Sequence, residues 1–377
     1  MQNCYDRHMD EFTGERNYWL ALSLCDGIGP VRFQKLLQHF GSAKNAWDAP
    51  FAALVESGIG EKISEDLIGH KKKFSLRKYE TELQQLQVSY TTLQDEEYPV
   101  LLKQIKKPPI ILYKKGTYSF NKNDILVSFV GTRKVTEYGR SVTELLVKDL
   151  VAAGCVIVSG LAVGIDAVAA QAAIASGGKT IAVLGSGVDL CTPAENTGLY
   201  TRILENGGAI VSENPLGMQP TIGSFPARNR IIAGLARGVL VTEGAADSGS
   251  LITANFAFEF ERSVFAVPGP ITSSVSKGPL SLIARGAKLV MAASDILEEL
   301  KIAGAAGSKN IKGVMKFKNA SKEETKIITV LQDQNMHFDE LVRKTGFSSS
   351  RLGILLSFME VKGMIKSLDG GNYCLTT

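Results

Sequence analysis

The sequence predicts an α/β protein: a parallel sheet buried on both faces, with a small helical domain before it and a winged helix-turn-helix after it. Three observations carry this. Seven short, nearly continuous apolar segments alternate with helical patterns between residues 125 and 290, the signature of parallel strands covered on both sides. Residues 17–87 show helical periodicity, broken by two Gly-Ile-Gly turns. The stretch 319–377 restarts a helical pattern and ends in a hairpin.

The elements follow in order. Over 1–87, "YWLALSLC", "VRFQKLLQHF" and "KNAWDAPFAALVES" are helical, with "GIGP" at 27–30 and "GIGE" at 58–61 each leading into a helix. Glycines there allow a tight turn with exposed amides, as in a helix-hairpin-helix. Such amides can hold a DNA phosphate or simply close a bundle. Residues 88–302 form the core. "PPIILYKKG" reads as an edge strand, since proline is kept to sheet edges. The parallel strands are "ILVSFVG" (125–131), "CVIVSG" (155–160), "TIAVLG" (180–185), "AIVSEN" (209–214), "GVLVTEG" (238–244), "SVFAVPG" (263–269) and "AKLV" (287–290). Residues 303–318, with four lysines and no acid, read as a flexible basic linker. The tail, 319–377, holds three helices and a hairpin turning at Asp369-Gly370-Gly371, the pattern of a winged helix. Its seven Lys/Arg are balanced by seven Asp/Glu. Phosphate binding rests on cationic excess, so the module suits protein contact at least as well as DNA.

Composition narrows the function. The chain of 377 residues is 45% hydrophobic and 21% charged, with a net charge of +4. That permits an anionic partner without demanding one. No apolar run reaches the roughly 18 residues of a membrane helix. The start, "MQNCYDRHMDEFTGERNYW", reads as neither signal nor transit peptide. Five scattered cysteines (4, 25, 155, 191, 374) read as reduced thiols in a cytosol. The four histidines (8, 39, 70, 337) all lie outside 89–302. A Ser-His or Cys-His pair and a zinc site are therefore not expected in the core, and no catalytic residue, metal or cofactor is assigned.

In a parallel sheet, ligands sit beyond the carboxyl ends of the strands, and the polar motifs cluster there. "GTR" gives Gly131, Thr132 and Arg133. "SGLAVGID" gives Ser159, Gly160, Leu161, Gly164 and Asp166, a strand-to-helix turn whose amides suit a phosphate and whose acid can cap them. "DSGSLITA" opens a helix with Ser248, Gly249 and Ser250. "FPARNR" places Arg228, Asn229 and Arg230 in the first turn of a helix, against its dipole. These arginines therefore need anionic partners, either Glu213 or Glu243 inside the protein or phosphate outside. The reading is one arginine pinned and one exposed, with Arg228 the exposed one. Two lookalikes fail. "GGKT" at 177–180 precedes a strand and has Ala173 where a P-loop needs its first glycine. "GSG" at 185–187 has Leu190 in place of the third glycine of a dinucleotide fingerprint.

Taken in order, "VGTRKVTEYGR", "VSGLAVGIDAVAAQAA", "GGKTIAVLGSGVD", "SENPLGMQP", "FPARNRIIAGLARGVLVTEGAADSGSLITANFA" and "VFAVPGPITSSVSKGPLSLIARGAKLV" resemble the DprA/Smf family of bacterial DNA-processing proteins, over about 90–300. The resemblance implies an extended Rossmann-like core that binds single-stranded DNA, works as a homodimer in the cytoplasm, and performs no catalytic reaction. It implies loading of RecA onto incoming DNA during natural transformation, with displacement of single-strand binding protein. The family's Gly-Ser-Arg arginine maps to Arg133, with Thr132 replacing serine. Val163 stands where an arginine is common, and Thr192 stands where a tyrosine often precedes Pro193. Two other readings compete: a nucleotide-processing enzyme of the lysine-decarboxylase-like family, and a winged-helix DNA-binding regulator. The first expects a Pro-Gly-Gly-x-Gly-Thr-x-x-Glu signature where this chain reads "AADSGSLITA". The second is disfavoured by the neutral tail.

Overall fold

Among the described residues, six helices precede the first strand: α1 (Glu15–Ser23), α2 (Pro30–Phe40), α3 (Ala43–Asp48), α4 (Phe51–Glu56), α5 (Glu61–Lys73) and α6 (Leu76–Gln85). The structure is a computed structural model describing residues 12, 14–302, 321–331 and 335–375. The expected linker at 303–318 lies outside the described residues. Each Gly-Ile-Gly turn ends where a helix begins, with Gly29 before α2 and Gly60, at φ 96°, before α5. The turns are clamped to each other from α2. Arg32 donates to the carbonyls of Gly27 and Ile59, at 2.9 and 3.2 Å, and Lys35 donates to that of Gly58 at 2.9 Å.

The core follows: β1 (Val88–Thr92), α7 (Val100–Lys103), β2 (Ile111–Gly116), β3 (Leu126–Val130), α8 (Glu137–Ala152), β4 (Val156–Ser159), α9 (Ile165–Ala175), β5 (Thr180–Val183), α10 (Thr197–Glu205), β6 (Ala209–Ser212), α11 (Ser224–Leu235), β7 (Gly238–Val241), α12 (Ser250–Glu259), β8 (Ser263–Ala266), α13 (Lys277–Ala284), β9 (Lys288–Leu289) and α14 (Ala293–Glu299). The nine strands lie in the order β1-β2-β6-β5-β4-β3-β7-β8-β9. All pairs from β6 to β9 are parallel, and β1 and β2 add antiparallel pairs at one side.

Two expectations change here. The segment "PPIILYKKG" is not an edge strand, because β2 pairs on both sides and β1 forms the edge. Pro108 and Pro109 precede the strand, so every residue from Ile111 keeps its N–H for the ladder. The helical region also shares its core with the sheet. Trp19, Leu36 and Leu54 belong to one apolar cluster with Tyr113, Leu161, Leu184 and Ile210.

The sheet is covered on both faces. Val127 and Phe129 of β3 pack with Leu146 of α8, Ala169 of α9 and Ile296 of α14. Val130 and Val241 pack on the other face with Ile231 of α11, Ala254 of α12 and Leu282 of α13. Neighbouring strands β3 and β7 therefore send their chains to opposite faces. That is the topological switch point, where open α/β sheets place their ligands.

The chain divides into two compact units, Met1–Ala305 and Ala306–Thr377. In the second, α15 (Lys322–Leu331), β10 (Met336–His337), α16 (Phe338–Thr345), α17 (Ser349–Val361), β11 (Ile365–Leu368) and β12 (Asn372–Leu375) form a winged helix. The hairpin β11–β12 turns at Asp369–Gly371, as expected, and the short β10 adds a third strand.

Candidate nucleic-acid interface

The strand that ends at the switch point leads into two adjacent cations. Arg133 and Lys134 follow β3 and are both exposed. The loop beneath them is held rigidly. Thr132 donates its backbone N–H to the Glu243 carbonyl at 2.7 Å, joining the ends of β3 and β7. The Glu243 carboxylate, 4% exposed, accepts from the backbone N–H of Thr136 at 3.0 Å and from its hydroxyl at 2.5 Å. Thr136 in turn caps α8 by accepting from Gly139 at 3.1 Å. The sequence offered Glu243 as an arginine partner. It instead braces the loop that carries Arg133, and a strand-end acid followed by glycine gives no signal of that.

The β4 turn packs directly against this loop. Gly164 has φ 87°, and a Cβ there would overlap the Thr132 carbonyl and lie 2.7 Å from the Arg133 Cα. Only glycine meets both demands. Ile165 donates to the Thr132 carbonyl at 3.1 Å. Asp166 is buried, and its carboxylate accepts from the Gly160 N–H at 2.8 Å, so it caps the turn that precedes its own helix. Ser159, Gly160 and Leu161 are buried too, and the Ser159 hydroxyl accepts from the Leu161 N–H at 3.4 Å within the turn.

The "FPARNR" pair resolves differently from the sequence reading. The helix α11 starts at Ser224, with Pro226 inside its first turn, where a missing N–H is tolerated. Arg228 therefore begins the second turn, past the strongest part of the dipole. It is not exposed: 7% of it is accessible. Its guanidinium donates to the carbonyls of Gly160, at 2.6 Å, and Val183, so it ties the ends of β4 and β5 together from below. A Cβ on Gly160 would overlap that guanidinium. Burial disfavours both charged forms, pushing the Arg228 pKa down and the Asp166 pKa up, and each charge offsets part of the other's penalty. Arg133 acts electrostatically on both. Arg230 is the pinned arginine as expected, and it pairs with Glu213. Burial raises the Glu213 carboxyl, and the Arg230 cation opposes that rise.

The remaining residues complete the rim. Asn229 donates to the Gly249 carbonyl at 3.4 Å, linking α11 to the start of α12. Ser248 and Ser250 bond each other at 2.8 Å, and the Ser248 hydroxyl accepts from the Ser250 N–H at 3.3 Å. The structure thus gathers Gly131, Thr132, Arg133, Gly164, Asp166, Arg228, Asn229 and the Ser248–Ser250 turn at one carboxyl edge. Arg230 is turned towards Glu213 instead. In the winged helix, Arg351 near the start of α17 is held by Glu323 at 2.5 Å, and Ile354, Phe358 and Val361 are exposed along the same helix.

An open, doubly covered sheet with rigid glycine turns, hydroxyls and exposed cations at its switch point defines a Rossmann-like α/β protein with an edge suited to phosphate. Residues 89–301 match the family model for DNA recombination-mediator protein A, residues 318–371 that for the DprA winged helix domain, and residues 13–53 that for the DprA-like N-terminal HHH domain. The chain belongs to the DNA recombination-mediator protein A family. It is 42% identical to Protein Smf of Synechocystis sp. over 292 residues, 76% of this chain and 73% of that protein. It is 42% identical to DNA processing protein DprA of Bacillus subtilis over 208 residues, 55% of this chain and 70% of the relative. The crystal structure of DNA processing protein A from Streptococcus pneumoniae superposes with a TM-score of 0.65 at 35% identity, covering 75% of this chain and 97% of that one. A structure of DNA processing protein A from Helicobacter pylori, described for its single-stranded DNA binding mode, gives 0.50 at 29% identity, covering 56% and 96%.

Proposed function

We propose that this recombination mediator binds single-stranded DNA along the carboxyl edge of its sheet, with Arg133 and Lys134 on the phosphates and the β4 and α12 turns shaping the rim beside them. The observation that carries the reading is exposed Arg133 on a strand-end loop braced by Glu243 and Gly164, near enough to buried Arg228 and Asp166 to act on both electrostatically. A cation held on a braced strand-end loop meets a phosphate with little ordering left to do. Among the described residues this edge is built of strand-end loops and helix starts, which favours backbone contact without sequence preference. On this reading the protein works in the cytoplasm as a homodimer, displaces single-strand binding protein, and loads RecA onto incoming DNA without catalysing a reaction. Competing single- and double-stranded DNA of equal length in filter binding tests it. Tighter binding of the single strand is expected, and equal or tighter binding of the duplex overturns it.

A further inference from the structure

The geometry points to a second phosphate-binding surface at the junction of α5 and α6, which carries the strand away from the core edge; the inference rests on the strand-end reading above. Residues 71–78 contain five cations and no acid. Lys71 is engaged inward, donating to the Ala49 carbonyl at 3.1 Å and lying over the Trp47 ring. Lys72, Lys73, Arg77 and Lys78 are exposed, and none of their side chains has an ion-pair partner among the described residues.

Helix electrostatics account for only half of this cluster. Lys72 and Lys73 end α5, where cations complement the dipole. Arg77 and Lys78 sit at the second and third positions of α6, where the dipole repels them. Glu80 and Glu82 stand at helical pairing distance from Arg77 and Lys78, yet no such pair forms among the described residues. Lys73 and Arg77 are separated by at most about 14 Å of chain. Four like charges therefore crowd one short surface, none of them in an ion pair among the described residues.

The position of this surface identifies the partner. The Tyr79 hydroxyl, next to Lys78, accepts from the Leu216 N–H at 3.2 Å. Leu216 lies on the loop leaving β6, and Asp189, from the loop leaving β5, accepts from Gly217 at 3.0 Å. The start of α6 thus abuts the carboxyl edge on its β6 side. Three strand spacings, about 14 Å, separate β6 from β3 and Arg133. A flexible polyanion leaving that edge past β6 meets four unpaired cations. The basic junction also lies roughly 20 Å from the Gly-Ile-Gly turns, at the other end of the 13-residue α5.

The test uses the full chain with Lys72→Ala, Lys73→Ala, Arg77→Ala and Lys78→Ala combined, and single strands of about 6 and about 30 nucleotides, spanning the usual site sizes. The long strand is expected to bind at least tenfold more weakly at low salt. Its log K against log salt slope should flatten by about 2 to 3 units, since each single-strand phosphate contact contributes about 0.7. The short strand should bind as before, while Arg133→Ala weakens both. Unchanged binding of the long strand, or equal losses for both lengths, overturns the inference. If Arg133→Ala has no effect and the fourfold variant still loses long-strand binding, the strand-end reading fails and the junction stands. Should the fourfold variant melt early, Arg77→Gln with Lys78→Gln repeats the test, with half the change in slope expected.

Discussion

Arg133 and Arg228 stand at one carboxyl edge in opposite surroundings, one exposed and one buried, and truncation separates the roles proposed for them. Arg133 is exposed on a braced loop, so Arg133→Ala should leave the melting temperature unchanged and weaken single-strand binding about tenfold or more. The salt slope should flatten by about 0.7, the signature of one lost phosphate contact. Arg228 reaches two strand-end carbonyls and offsets the buried Asp166 charge. Arg228→Ala takes the donor from both carbonyls and the offsetting charge from the buried carboxylate, a loss of about 3–5 kcal/mol of stability. Residual binding by Arg228→Ala should keep the native salt slope, because its guanidinium lies beneath the turn. Thermal melting and salt titration on the same two variants read both outcomes.

Among the elements, α8 offers a reversal of the usual helix rule. Replacing glycine by alanine inside a helix ordinarily stabilises by about 1 kcal/mol. At Gly139 a Cβ would overlap the Glu243 carboxylate that holds Thr136. Gly139→Ala is therefore expected to destabilise by about 1–3 kcal/mol and to loosen the Arg133 loop; a raised melting temperature would contradict the bracing role of Glu243. In the winged helix, Glu324 accepts from Lys362 at 2.7 Å and from the Ser321 N–H at 2.7 Å, which holds its carboxyl below the ordinary glutamate value of 4.5. A carboxyl depressed in the folded state contributes stability that is complete above its unfolded value and is lost as pH falls through the folded one. The winged helix should thus weaken on acidification below about pH 4.5. Lys362→Met should reduce that dependence, as followed by far-ultraviolet circular dichroism.

The whole molecule separates at one place and resists separation at another. Residues Met1–Ala305 form one compact unit. Removing 306–377 should leave a protein that melts cooperatively and binds single-stranded DNA. Removing 1–87 is a different matter. It strips Trp19, Leu36 and Leu54 from a cluster that continues into Tyr113, Leu161 and Ile210, and it exposes apolar surface beside the β4 turn. The 88–302 fragment is expected to aggregate or lose cooperative melting, and a well-folded, DNA-binding fragment would show that the shared cluster is dispensable.

The order of strands and helices was legible in the chain, because apolar runs, helical periodicity and glycine turns are local patterns. So was the cluster of Gly131, Arg133, Gly160, Gly164 and Ser248, since a parallel sheet brings its strand ends to one side whatever its strand order. The sequence also pointed to an acid, Glu213 or Glu243, for one arginine of the pair, and Glu213 takes Arg230. Only the tertiary structure decided that Arg228 is buried, because its partner Gly160 lies 68 residues away and no local pattern encodes that contact. It likewise decided that β2 is interior, since a strand's neighbours are set by the sheet and not by the strand. Charge on a helix can be read from sequence. Whether that charge finds a partner depends on what the fold brings within reach, as Arg230 with Glu213 and the exposed cations of α5 and α6, which form no ion pair among the described residues, both show.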